Sequence, residues 1–260
     1  MNTTTKPPFE FFAGSGRLGN KLFQAAIGLL IARENCKNIA IDFGPDFPGN
    51  SHCHEHILPF FFNPIDIDYS ISCAASNRSL AGGVRMSEAP QQASTAAYIR
   101  DNLYHVIKKD FDAEEAGIFI HYRIGDLAEI DKLTEENMTF AFHPPLAKKP
   151  VVANIKYMES AIKSIRNYED LPKYISSDSP EDERVRKICR DYGFELYENS
   201  PERTIKFGAK FTNKILSHGT FSWWIGVLGS QNNIIFPNRE DYAKWHGDIF
   251  VFEDWHELKP

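Results

Sequence analysis

Three polar clusters in this chain combine cations, hydroxyls and glycines in patterns suited to holding an anion. The first is Gly14-Ser15-Gly16-Arg17-Leu18-Gly19-Asn20. Small residues let backbone approach a ligand closely, and a helix starting there adds N–H groups and the positive end of its dipole. Arg17 and Asn20 contribute side-chain donors, although a glycine-rich turn by itself can be no more than a tight turn. The second cluster is His121-Tyr122-Arg123-Ile124-Gly125-Asp126. On a strand, His121 and Arg123 point the same way and Tyr122 the opposite way. An arginine so placed can fork two donors onto a diphosphate oxygen pair and offset the charge that grows as a nucleotide leaves. The plainer reading is an ion pair of Arg123 with Asp126. The third cluster has two parts, Ser176-Ser177-Asp178-Ser179-Pro180 and His218-Gly219-Thr220-Phe221-Ser222-Trp223-Trp224. Asp178 can accept from ribose hydroxyls, and Thr220 and Ser222 can join helix N–H groups around phosphate. Helix capping is the routine use of such residues and does not exclude binding. Trp223 and Trp224 suit packing better than a stacking platform.

These clusters need elements that bring them together. Phe9–Ala13 reads as a buried strand, followed by helical spacing of Leu22, Ala25, Ala26, Leu29 and Leu30, then a strand at Ile39–Asp42. From His52 to Pro90, prolines and glycines interrupt short apolar runs, and no regular element is assigned. Gly117–Tyr122 is the most apolar strand. An amphipathic helix follows on Ile155, Met158, Ala161, Ile162 and Ile165, then a strand at Lys173–Ser176, a helix over Glu181–Tyr192 and a strand at Phe194–Tyr197. A helix at Phe221–Leu228 and a strand at Ile234–Phe236 complete the alternation, which predicts a mostly parallel sheet. All three clusters then fall at the carboxyl ends of strands, where open parallel sheets bind ligands.

Composition narrows the classes. The chain has 260 residues, 42% hydrophobic and 25% charged, so it can bury a sizeable core. A net charge of −6, with no basic and aromatic interleaving, excludes a nucleic-acid surface, so any anionic ligand must be held by a few local cations. No apolar run is long enough to span a bilayer, and the first residues lack a secretion signal's apolar core. The expectation is a cytoplasmic protein, with a membrane or Golgi setting only for a chain trimmed of an anchor. Cys36, Cys53, Cys73 and Cys189 have no paired spacing and suit free thiols. Asp66-Ile67-Asp68 has the form of a divalent-metal site and His52-Cys53-His54-Glu55-His56 that of a zinc site. The first needs further oxygen ligands that sequence does not identify, the second lacks the spaced ligand pairs of structural zinc sites and suits an acceptor cleft instead, and no metal is expected.

In order and separation, Gly16–Gln24, His121–Asp126 and Thr220–Trp224 resemble the α1,2-fucosyltransferases of glycosyltransferase family 11. The likeness runs from about Phe9 to Asp248. That family is similar to the α1,6- and protein O-fucosyltransferases. The resemblance implies an α/β fold of the GT-B type, two facing Rossmann-like domains placed here at residues 1–112 (acceptor side) and 113–260 (donor side). It implies inverting, metal-independent transfer of L-fucose from GDP-β-L-fucose, a co-substrate rather than a cofactor, to a glycan acceptor, O-2 of a galactose-like residue. It gives Arg123 the β-phosphate and support of GDP departure, and places His121 beside the nucleotide. Asp178 takes ribose or guanine, and Thr220, Phe221 and Ser222 lie on the phosphate side. Gly16, Arg17, Gly19 and Asn20 face the donor from the first domain. Asp126 is the candidate base, with Glu129 the next choice. Two positions depart from the family: Ile124 stands where a second arginine is usual and Lys21 where glutamine is. An apolar residue at the former occurs in protein O-fucosyltransferases, so a protein O- or α1,6-type enzyme is the alternative. A non-catalytic nucleotide- or glycan-binding protein of the same fold is a further one.

Overall fold

Eight consecutive residues, Glu115–Tyr122, form the strand at the centre of the larger sheet, and its last six are buried. Burial of that kind is what a parallel strand covered on both faces requires. The computed structural model describes residues 9–12, 18–20, 22–23, 26, 39–42, 69–71, 96–97, 99–103, 114–135, 152–229, 232–238, 249–250 and 252–259. The chain divides into two compact units, Met1–Ser87 and Glu88–Pro260.

In the first unit, β1 (Phe9–Phe12), β2 (Ile39–Asp42) and β3 (Tyr69–Ile71) pair in parallel in that order. β1 and β2 match the strands expected from the sequence, and β3 lies in the stretch where no element is assigned. Residues 18–20, 22–23 and 26 are helical, with Leu22, Phe23 and Ala26 fully buried.

The second unit carries six parallel strands, β4 (Glu115–Tyr122), β5 (Lys173–Ser177), β6 (Glu195–Leu196), β7 (Phe211–Ile215), β8 (Asn233–Pro237) and β9 (His256–Leu258). Their order is β6-β5-β4-β7-β8-β9. The chain winds outward from β4 to one edge, returns to β7 beside β4, and winds outward to the other edge, the doubly wound Rossmann order. The helices are α1 (Gly125–Glu135), α2 (Ile155–Ser164), α3 (Glu183–Tyr192), α4 (Pro201–Ala209) and α5 (Thr220–Val227). Among the described residues no helix is long and apolar enough to cross a membrane.

Side-chain alternation along β4 sorts the two layers. Ile118, Ile120 and Tyr122 join Ile175, Ile215 and Ile235 in one core with Tyr157, Met158, Ala161 and Ile162 of α2 and Val185 and Ile188 of α3. Local signals start these helices: Asn154 accepts from the Lys156 amide and Asp182 from the Arg184 amide. Phe119 points to the other layer, stacked with Phe211 and edge-on to Phe207 of α4. There Trp223 and Trp224 are fully buried, which makes them packing residues.

Two close fits on this second layer set measurable limits. A β-carbon at Gly208 would lie 2.4 Å from Phe119 Cε1 and 3.0 Å from Ile225 Cγ2, so α4 sits on β4 only because that residue lacks a side chain. Glycine to alanine within a helix is ordinarily worth about 1 kcal/mol of added stability. Here overpacking opposes it at about 1–3 kcal/mol, and Gly208→Ala is expected to lower the urea unfolding free energy. The Lys214 side chain is fully buried in β7, and burial pulls its ammonium down to about 7, with Glu114 only partly opposing. The unfolded chain therefore binds the extra proton between about pH 7 and the ordinary lysine value of 10.5, and stability contributed by this group rises with pH across that window. Unfolding measured from pH 6 to 10 is expected to show Lys214→Met gaining most on the wild type below pH 7, with that gain shrinking as pH climbs.

Candidate functional site

The carboxyl ends of β4 and β7 lie side by side where the strand order reverses, the place at which open α/β sheets bind ligands. Register fixes who meets there: His121 is paired with Ser176 of β5, and Ile120 with Ile215 of β7. The segments leaving these ends are Arg123–Gly125 after β4, Asp178 after β5 and Ser217–Gly219 after β7.

Hydrogen bonds tie the segments to one another. The Arg123 amide donates to Ser217 Oγ at 2.9 Å, and Ser217 Oγ lies 3.0 Å from Ser222 Oγ. Ser222 Oγ also accepts from the Ser217 amide at 3.3 Å and lies 2.5 Å from His121 Nδ1. On the β5 side, Asp178 Oδ1 accepts from the Ile124 and Gly125 amides at 2.8 and 3.1 Å, and the Ser177 hydroxyl donates to the Tyr122 carbonyl at 2.6 Å. From the far layer, the Tyr157 hydroxyl reaches the carbonyls of Leu216 and Ile235 at 2.8 and 3.2 Å.

Arg123 has a defined seat. A β-carbon at Gly219 would lie 2.6 Å from Arg123 Nη1 and 3.3 Å from its Cδ, so the guanidinium lies on the bare backbone of Gly219. Gly219 has φ +124°, which residues with a side chain rarely adopt, and it is the N-cap of α5 with no side-chain cap bond. A fixed cation thus sits at the positive end of a helix. The two favour the same counter-charge, an anion with oxygens for both the guanidinium fork and the helix amides.

His121 is nearly buried, under a Phe221 ring with centroids 4.7 Å apart. Burial lowers its pKa to about 4; Asp178 pulls upward and Arg123 adds to the lowering. At neutral pH the imidazole is uncharged and serves as a hydrogen-bonding group.

The structure brings His121, Arg123, Asp178, Thr220, Phe221 and Ser222 to one crevice. His121 and Arg123 share a side and Tyr122 turns away to donate to the Ala153 carbonyl, as strand alternation requires. Ser222 has no exposed surface, and its hydroxyl stands behind His121. One oxygen of Asp178 holds the turn into α1. Asp126 lies in the first turn of α1, its side chain outside the described residues, and Glu129 is exposed on the same helix. Ile124, noted above as a departure from the resembled family, is 2% exposed and packs in the core with Leu127. Gly19 and Asn20 are helical residues of the first unit. Gly16, Arg17, Lys21, Asp66–Asp68, His52–His56 and Trp245–Asp248 lie outside the described residues. Among the described residues, no group of three or more His, Cys, Asp and Glu is placed to hold a metal ion. Ser217 and Gly219 hold Arg123 in place, and the sequence reading gives neither a role, although Gly219 falls within the third cluster. Their signal is faint: a glycine before a helix and a serine after a strand.

Residues 140–256 match the model of glycosyl transferase family 11. That stretch, somewhat under half of the chain, is what is similar to the family. The matched residues include Asp178 and the Thr220–Trp224 cluster, while His121 in β4 and Arg123 just after it lie before them. A comparison with curated proteins finds no match. The match thus covers the β5 and β7 sides of the crevice, and Arg123, which follows β4, lies outside it.

Gly219→Ala tests the seat directly. Strain at a positive φ costs about 1–3 kcal/mol, and the new methyl displaces the guanidinium. The variant is expected to unfold at lower urea and to bind pyrophosphate at least about tenfold more weakly by calorimetry, about the worth of one charge-assisted hydrogen bond. Unchanged pyrophosphate binding would place Arg123 outside the anion site.

Proposed function

We propose that this chain is an inverting fucosyltransferase that moves L-fucose from GDP-β-L-fucose to a sugar hydroxyl, O-2 of a galactose-like residue, without a metal. The observation that carries the reading is the Arg123 guanidinium seated on Gly219 at the start of α5, at the reversal of strand order. The match of residues 140–256 to the family 11 model supports glycosyl transfer, and the resemblance of the three motifs supports fucose as the sugar. The amino-terminal unit is read as the acceptor side and the carboxy-terminal unit as the donor side of a GT-B enzyme.

In this mechanism the acceptor hydroxyl attacks C1 of fucose from the face opposite the diphosphate. The new C1–O bond forms as the bond from C1 to the β-phosphate oxygen breaks, and the configuration inverts. The electron pair of the broken bond leaves with GDP, where Arg123 and the first amides of α5 stabilise it. The acceptor proton passes to a carboxylate, Asp126 in this reading. Arg123 supplies the charge that a divalent ion supplies in other nucleotide-sugar enzymes, and Thr220 stands at the same helix start.

Release of GDP from GDP-fucose in the presence of EDTA, over a panel of galactose-terminated, N-glycan-core and peptide acceptors, tests the proposal. Acceptor-stimulated release is expected with galactose-terminated glycans, and the product should carry fucose on O-2. Arg123→Ala is expected to lower kcat by about 10²–10³, the usual cost of losing one preorganised transition-state donor, and Arg123→Lys to recover only part of it. Transfer to peptide or core glycan alone would make it a protein O- or α1,6-type enzyme. GDP binding without any turnover would make it a binding protein.

A further inference from the structure

The five polar atoms behind the crevice can be given hydrogen-bond directions, because each has a limited number of protons. The Arg123 amide must donate, so Ser217 Oγ accepts at 2.9 Å. Ser217 has no exposed surface, and the acceptor within reach of its own hydroxyl proton is Ser222 Oγ at 3.0 Å. Ser222 Oγ accepts a second time, from the Ser217 amide. Both lone pairs of Ser222 are then engaged, and its proton goes to the remaining neighbour, His121 Nδ1, at 2.5 Å. A nitrogen that accepts carries no proton in the neutral ring, so the hydrogen of His121 stands on Nε2. Among the described residues, the opposite polarity leaves the Ser217 hydroxyl proton buried with no acceptor, a cost that folded proteins avoid.

A turned ring would set a carbon, in place of Nδ1, against the Ser222 hydroxyl. Phe221 lies against its face and Nδ1 is held to a fully buried hydroxyl. His121 is 7% exposed and its Nδ1 is taken by Ser222, which leaves Nε2 as the ring nitrogen that can meet a ligand.

We propose that Ser217 and Ser222 are positioning residues: their buried hydrogen-bond chain, started by the Arg123 amide, holds His121 as the Nε2–H tautomer, so that it offers the diphosphate a neutral donor. This rests on the nucleotide-sugar reading for the identity of the anion, and it makes His121 a donor rather than the base that deprotonates the acceptor. The chain also links the two ligand groups. The same residue whose side chain faces the anion sets, through its backbone amide, the proton position on the neighbouring imidazole.

The tautomer can be read without turnover. In ¹⁵N-labelled, ligand-free protein, two-bond nitrogen–proton correlation spectra distinguish Nε2–H, Nδ1–H and the charged ring. The chain has nine histidines, and the signal missing from His121→Gln identifies the one required. The expected pattern is a single neutral Nε2–H form across pH 6 to 8. Ser222→Ala, with Ser222→Cys as a second variant, is expected to return the ring to a tautomer mixture and to weaken GDP binding by about tenfold. Gln places an amide N–H near the Nε2 position and Asn nearer Nδ1, so His121→Gln should keep most GDP affinity and His121→Asn should lose it. An Nδ1–H ring in the wild type, or an unchanged spectrum in both Ser222 variants, overturns the proposal. An Nε2–H ring in a protein that binds no GDP would sustain the positioning and sink the functional reading instead.

Discussion

Parallel pairing of β4 with β7 places two strand ends side by side while the connections that leave them run toward opposite edges of the sheet. A gap must open between those connections, and its walls are backbone that has just lost its sheet partners. Such backbone has to be satisfied by side chains or water. Here Ser217, Ser222 and Asp178 do so, and the geometry that results fixes where Arg123 and His121 can point. The functional groups are thus consequences of how the sheet ends are closed.

Electrostatics follows from the same closure. The helix that begins at Gly219 has no side-chain cap, and the side chain lying on it is a cation, the reverse of the usual acidic preference at a helix start. In isolation this is an unfavourable arrangement. Folding tolerates it because Arg123 keeps partial solvent access, and because the Asp178 carboxylate stands nearby on the turn into α1. Both charges sit within reach of His121, and desolvation outweighs them to keep that ring neutral.

Strands and helices with strong apolar periodicity were legible in the sequence: β4, β5, α2, α3 and α5 fall within a few residues of their expected bounds. β7 was not, because Thr212, Asn213 and Lys214 put three polar residues into five. Their partners lie in distant segments: the Asn213 amide donates to the Gly117 carbonyl, and its carbonyl accepts from Asn233. α4 begins with the recognisable Ser200-Pro201 pair, yet its buried side includes Thr204, Gly208 and Ala209, too small or polar to show as an apolar stripe. Of the site, the strand-end cations and the helix-opening hydroxyls could be read from residue type. The roles of Ser217 and Gly219 could not, since each depends on contact with Arg123 more than 90 positions away. Ile124 carries a related lesson: although it directly follows Arg123, it faces the core, so its chemistry bears on packing first.

Tyr157 belongs to the layer opposite the crevice, yet its hydroxyl takes up the carbonyls of Leu216 and Ile235 where β7 and β8 part. It acts as a strut running through the sheet's margin from one layer to the other. Any load placed on the segment after β7 is passed to α2, and the freedom of that segment is spent when the chain folds rather than when a ligand arrives. A wall stiffened in advance loses little entropy on association.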